Sequence, residues 1–134
     1  MLLSAASALA QGGTTIGISA FWGCSSLTSI IIPNGVTVIE YGTFLHCTNL
    51  TSITIPSSVT RIKDVAFMYC PNLTLITNLN PVPIATASDA FDGLLQHLCT
   101  LKVPTSAVST YQNADRWKKF NIVNGGISVT SYEC

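Results

Sequence analysis

Cys24, Cys47 and Cys70 stand 23 residues apart, with Cys99 and Cys134 outside that series. Thiols at fixed intervals can form disulfides, bind metal or act as nucleophiles. Structural zinc sites take their ligands from short C-x₂₋₄-C pairs, and a 23-residue interval is not one. Adjacent parallel strands lie about 4.8 Å apart, within the roughly 4.4–6.8 Å Cα range of a disulfide. Equivalent side chains on stacked strands point the same way, however, which strains such a bridge. The reading is therefore a ladder of buried free thiols serving as small apolar residues, with a disulfide as the alternative. Five is an odd number of cysteines, so at least one stays free or pairs with another chain.

The two histidines do not assemble into a catalytic pattern. His46 precedes Cys47 at the place that Gly23 and Tyr69 hold, and such variation marks an exposed corner. His97 falls in a less regular stretch before Leu98. A nucleophile–base pair would need distant residues to converge, which nothing in the sequence specifies. A Gly-rich phosphate loop is absent as well. No catalytic, cofactor or metal residues are assigned; a hydrolase with a scattered site stands far behind a non-enzymatic reading.

The elements that place these residues come from the same 23-residue period. Phe21, Phe44 and Phe67 keep it, as do Leu27, Leu50 and Leu73, and Ile16, Ile39 and Ile62. A fixed period of this length is the signature of a solenoid. Each copy holds a strand of the form Leu-x-x-Ile-x-Ile, seen at Leu27/Ile30/Ile32 and Leu50/Ile53/Ile55. Side chains two apart share a face of a strand, and β-branched residues suit it. Pro33 and Pro56 end the strands, because proline has no N–H to donate to a ladder. Asn34-Gly35 and Ser57-Ser58 supply turns. A second inward set follows in Val36, Ile39 and Phe44, and again in Val59, Ile62 and Phe67, before the corner at cysteine. One such unit cannot bury its apolar face alone, so stability grows with neighbours.

Past Leu73 the frame slips: Phe67 to Phe91 is 24 residues and Leu73 to Leu98 is 25. Asn78 stands where Ile55 predicts an apolar side chain, and Asn80-Pro81-Val82-Pro83 predicts a wider corner. Leu98, Leu101 and Val103 restore the spacing as a fourth, irregular rung. From Thr105, Ser106 is placed to cap a helix through Val108, Tyr111 and Gln112. Trp117 and Phe120 are expected to cover the open end of the stack, with Lys118-Lys119 in water and Ile122-Val123 in a last short strand.

Between the inward residues of the strands lie Ser29/Ile31, Ser52/Thr54, Leu75/Thr77 and Thr100/Lys102. Stacked, these make one hydroxyl-rich strip with Ile31 and Leu75 as apolar spots. Such a face suits a protein or glycan partner through shape and hydrogen bonding; the competing reading is a solvated sheet face without a ligand. Charged residues are 9% of the chain, against about 25% in average globular proteins, and the net charge is zero. A chain without a broad positive field is a poor nucleic-acid binder, and near-zero net charge favours self-association. No run approaches the ~20 apolar residues of a membrane-spanning helix.

Ala20-Phe21-Trp22-Gly23-Cys24-Ser25-Ser26-Leu27-Thr28-Ser29-Ile30, followed by Ile32-Pro33, resembles the leucine-rich repeat of BspA-like surface proteins. The copies from Thr43-Phe44 and Ala66-Phe67 match too, with Thr43 departing from the usual Ala. Ala90-Phe91-Asp92-Gly93, Cys99-Thr100-Leu101-Lys102-Val103-Pro104, Tyr111 and Trp117-Lys118-Lys119-Phe120 resemble the closing module of such proteins. The resemblance implies an α/β leucine-rich-repeat solenoid, right-handed, with a parallel sheet on one face, short helical, 3₁₀ or irregular returns and a C-terminal helical cap. It further implies an exported cell-surface or secreted protein used in adhesion or in binding a host or neighbouring cell surface.

The expected organisation is a signal remnant or N-terminal cap at 1–12, repeats of about four rungs at 13–104, a cap at 105–123 and a tail or linker at 124–134. Ala8-Leu9-Ala10 resembles the end of a secretory signal, though no basic segment precedes it, while Leu9 also falls in the repeat frame of Ile32 and Ile55. Asn49-Leu50-Thr51 and Asn72-Leu73-Thr74 are glycosylation sequons that the repeat produces by accident. Two functions compete: an extracellular binding or adhesion module, and a structural spacer within a longer surface protein.

Overall fold

The computed structural model describes residues 15–126. The expectations for residues 1–12, for the frame position of Leu9, for the end of the tail and for Cys134 lie outside them. Among the described residues eight strands and one short α-helix follow in order: β1 Ser29–Ile31, β2 Val38–Ile39, β3 Ser52–Ile55, β4 Arg61–Ile62, β5 Leu75–Asn78, β6 Ala85–Thr86, β7 Thr100–Val103, α1 Val108–Gln112 and β8 Asn121–Asn124. They form two parallel sheets, one of five strands in the order β1-β3-β5-β7-β8 and one of three in the order β2-β4-β6. Ser29 pairs with Ser52, Ser52 with Leu75, and Val38 with Arg61, so the 23-residue period is the pairing offset. Three repeats contribute one strand to each sheet, and β7 and β8 extend the larger one alone.

The core lies between the sheets. Val36, Ile39, Phe44, Leu50, Ile53 and Ile55 are buried, as are Val59, Ile62, Phe67, Leu73 and Ile76 one rung on. Phe21, Phe44, Phe67 and Phe91 form a column of near-parallel rings with centroids 5.6, 5.2 and 5.6 Å apart. Trp117 and Phe120 meet Phe91 edge-on at 5.4 and 5.1 Å and end the column. Offset and edge-to-face contacts are the arrangements that the ring quadrupole favours.

Polar side chains join the rungs, and they reach back to carbonyls of the preceding one. Cys47 Sγ donates to the Phe21 carbonyl and Cys70 Sγ to that of Phe44, both at 3.0 Å. Asn49 Nδ2 donates to Ser25 O and Asn72 Nδ2 to Thr48 O. Thr51 Oγ1 reaches Thr28 O, Ser58 Oγ reaches Val36 O, and Thr60 Oγ1 reaches Thr37 O. At the corners the backbone runs the other way, with the Phe44 N–H donating forward to Ala66 O at 2.8 Å.

Two expectations of the irregular region are corrected. Leu98 is 63% exposed, and Cys99 is buried in its stead. The additional residues of this rung wind into a 3₁₀ turn, Gln96–Leu98, which turns Leu98 outward. Leu94 takes the corner place of the repeated thiol, its N–H bonded to Phe91 O as the Cys47 N–H is bonded to Phe44 O. Ser106 caps nothing: it lies within a 3₁₀ turn, Thr105–Ala107, and α1 starts from Ala107 without a side-chain cap. A tertiary contact holds this short helix instead, because Tyr111 is fully buried.

Asn78 explains its break in the pattern. It is fully buried, donates to Tyr111 Oη at 2.9 Å, and accepts from the Asn80 N–H at 3.0 Å. The Tyr111 hydroxyl proton is shared between the carbonyls of Asn80 and Val82. Asn80 Nδ2 reaches Val59 O, and Trp117 Nε1 reaches Ile84 O. The proline-rich corner is thereby tied to the closing segment through satisfied polar groups.

Two substitutions test this account. Asn78→Ile restores the apolar frame yet leaves the buried Asn80 N–H and the Tyr111 hydroxyl short of a partner, which costs roughly 1–3 kcal/mol; the urea midpoint should fall. Val65 has φ +50°, a conformation unfavourable for a β-branched residue. Val65→Asn keeps the N–H that bonds Asp89 Oδ1 and should raise stability by about 1 kcal/mol.

Candidate functional site

The alternating pleat of β1, β3, β5 and β7 turns one side chain in two away from the core. Ile30, Ile53, Ile76 and Leu101 point in, while Ser29/Ile31, Ser52/Thr54, Leu75/Thr77 and Thr100/Lys102 are exposed or half-buried. Register gathers all eight into two columns: Ser29-Ser52-Leu75-Thr100 and Ile31-Thr54-Thr77-Lys102. β8 extends both, with Asn121 opposite Thr100 and Val123 opposite Lys102. These two residues escape a search by period, because the offset from Thr100 shrinks to 21. A strand at Ile122-Val123 is legible in the sequence, but its register is not.

The face is nearly uncharged, with Lys102 its one cation and Ile31, 67% exposed, its largest apolar spot. Hydroxyls beside it already serve the ladder, as Thr51 Oγ1 and Thr74 Oγ1 both donate to carbonyls of the preceding rung. Thr100 Oγ1 lies 3.5 Å from Asn121 Nδ2. Chemically, such a surface can give and take neutral hydrogen bonds along an extended partner and cover an apolar group at Ile31.

The other chemistry-bearing residues are dispersed. Cys24, Cys47, Cys70 and Cys99 are free thiols. Burial pushes the Cys47 thiol from the ordinary 9.0 up to about 11 and those of Cys70 and Cys99 up to about 12. A raised pKa keeps the nucleophilic thiolate scarce, and the S–H bonds of Cys47 and Cys70 serve as donors rather than as apolar filler alone. His46 and His97 are both exposed, on separate corners. His46 has φ +62°, shared with Gly23 at +69° and Tyr69 at +58°. The common feature of this variable position is therefore a left-handed backbone, which sequence reading registers only as an exposed corner.

The chain matches the family described as BspA type leucine-rich repeat region, in six copies spanning residues 7–119. No curated protein matches it.

The thiols give a pH prediction. Cys47, Cys70 and Cys99 hold their protons more tightly when folded, so their contribution is complete below the unfolded value of 9.0 and is lost as pH rises toward about 11 to 12. The urea midpoint should fall steadily across that alkaline window, and Cys70→Ala should make the fall shallower. At neutral pH a thiol reagent should modify these three only after unfolding.

Proposed function

Because the chain belongs to the BspA-type leucine-rich-repeat family, we propose that it is a non-enzymatic binding module that holds a protein or glycan partner on the outer face of its five-stranded sheet. The observation that carries this reading is the unbroken register of exposed and half-buried hydroxyl, amide and apolar side chains across five strands. A flat strip of this kind offers repeated neutral hydrogen bonds and excludes few ligands by charge, which suits an extended partner. Solenoid geometry belongs to the same reading: rungs added at a constant offset lengthen the face without changing its chemistry. Export to the cell surface or beyond, and a role in adhesion to a host or neighbouring cell, follow from the resemblance to BspA-like surface proteins. Family resemblance also supports the absence of enzymatic activity, and the raised thiol pKa values agree with it.

The alternative of a spacer in a longer surface protein separates from this by one experiment. Ile31→Glu and Thr54→Glu place charge on the exposed strip and leave the inward residues intact. Each should fold with a near-wild-type urea midpoint and lose at least about tenfold in affinity for matrix proteins or cells that the purified wild type binds saturably. Unchanged binding in both folded variants removes the sheet face from consideration, and no saturable binding by the wild type favours the spacer.

A further inference from the structure

The left-handed corner carries a second, outer ladder of rings. Gly23, His46, Tyr69 and Gly93 take equivalent places with φ of +69°, +62°, +58° and +81°. Backbone bonds hold them there: the N–H groups of Gly23, His46 and Tyr69 donate to Leu45 O, Met68 O and Asp92 O at 2.8, 3.0 and 2.9 Å. His46 and Tyr69 are exposed, and rung spacing brings their rings to 4.8 Å between centroids with a 32° tilt. Tyr69 in turn lies on Gly93, where an added Cβ would stand 2.7 Å from Tyr69 Cδ1. Backbone thus closes one end of this two-ring stack.

Among the described residues the other end is open. Apart from its chain neighbours, none of them lies within 4 Å of the place a Cβ on Gly23 would take. Trp22, 57% exposed, forms no ring pair with His46 among the described residues. Gly23 thus leaves its place in the ladder without a ring, one rung above the His46 ring that stacks on Tyr69. The exposed residues that follow Gly23 and His46 in the two turns, Ser25, Ser26, Thr48 and Asn49, are uncharged. Asn49 uses Nδ2 to bond Ser25 O at 2.7 Å, which fixes its amide and leaves Oδ1 as an acceptor.

We infer that the gap above His46 at Gly23 is a stacking site for one pyranose ring of a neutral glycan. A pyranose has an apolar C–H face and a rim of hydroxyls. His46, backed by Tyr69, supplies the flat partner for the first, and the hydroxyl and amide groups of the neighbouring turns supply partners for the second. An aromatic side chain from a protein partner would need an apolar surround, whereas this gap is exposed and rimmed by polar groups. The site lies at the corner rather than on the sheet strip, so it stands independently of that face.

The test is NMR titration of the folded protein with the methyl glycosides of galactose, glucose, mannose and N-acetylglucosamine, following the ring protons of His46 and of Tyr69, which stays in every variant. At least one glycoside should shift them saturably at millimolar concentration. His46→Asn keeps a residue that tolerates the left-handed backbone, and Gly23→Tyr fills the gap with a ring in the conformation Tyr69 already holds. Both should lose at least about tenfold in affinity, and Ile31→Glu should bind as the wild type does. The inference is overturned if no glycoside gives a saturable shift, if binding survives either corner variant, or if N-acetyl-tyrosine amide binds at the gap while no glycoside does.

Discussion

Everything in this fold depends on one offset. From β1 to β5 each repeat pairs in parallel with the repeat before it at a separation of 23 residues, so like side chains fall on like. The main chain at Phe44 shows how firmly this is enforced: its N–H donates to Ala66 O and its carbonyl accepts the Cys70 thiol, both in the next rung. With the backbone pinned on both sides, the phenylalanine rings have no choice but to stack, and their planes agree within 6° and 12°. Buried isoleucines and leucines then form continuous columns, because the pleat repeats with the same phase in every rung.

A column of stacked rings cannot end on itself, since its last face would be left in water. The closing segment solves this by rotating the geometry. Trp117 meets Phe91 at 69° and Phe120 meets it at 88°, which presents ring edges to the terminal face. Burying Trp117 and Tyr111 then raises the question of their polar atoms, and the irregular corner answers it. Ile84 O takes the indole N–H, and the carbonyls of Asn80 and Val82 take the Tyr111 hydroxyl. Departures from the repeat at residues 78–84 are thus the partners that the closing aromatics require.

Most of this was legible where the period holds. The inward set, the strand ends at Pro33 and Pro56, and the exposed strip follow from alternation and spacing alone, because parallel pairing copies one rung onto the next. Legibility failed where a local rule met a tertiary demand. Leu98 fits the apolar spacing, yet a 3₁₀ turn absorbs the surplus residues and exposes it, so that Cys99 is buried. Asn78 offends the pattern, yet it is a fully satisfied core amide. Neither the φ of His46 nor the thiol hydrogen bonds of Cys47 and Cys70 leave any mark in composition or spacing. Asn121 and Val123 belong to the candidate face only through a register that the shortened 21-residue interval conceals.

The direction of the side-chain hydrogen bonds has a consequence for how such a chain assembles. The repeated thiol, amide and hydroxyl donors of one rung engage carbonyls belonging to its N-terminal neighbour. Synthesis proceeds from that same end. Each newly emerged coil therefore meets side-chain acceptors already in place and brings its own fasteners with it. The same coil delivers the carbonyls that the forward-pointing corner N–H groups of its predecessor await, as Ala66 O does for Phe44, until Trp117 and Tyr111 seal the far end.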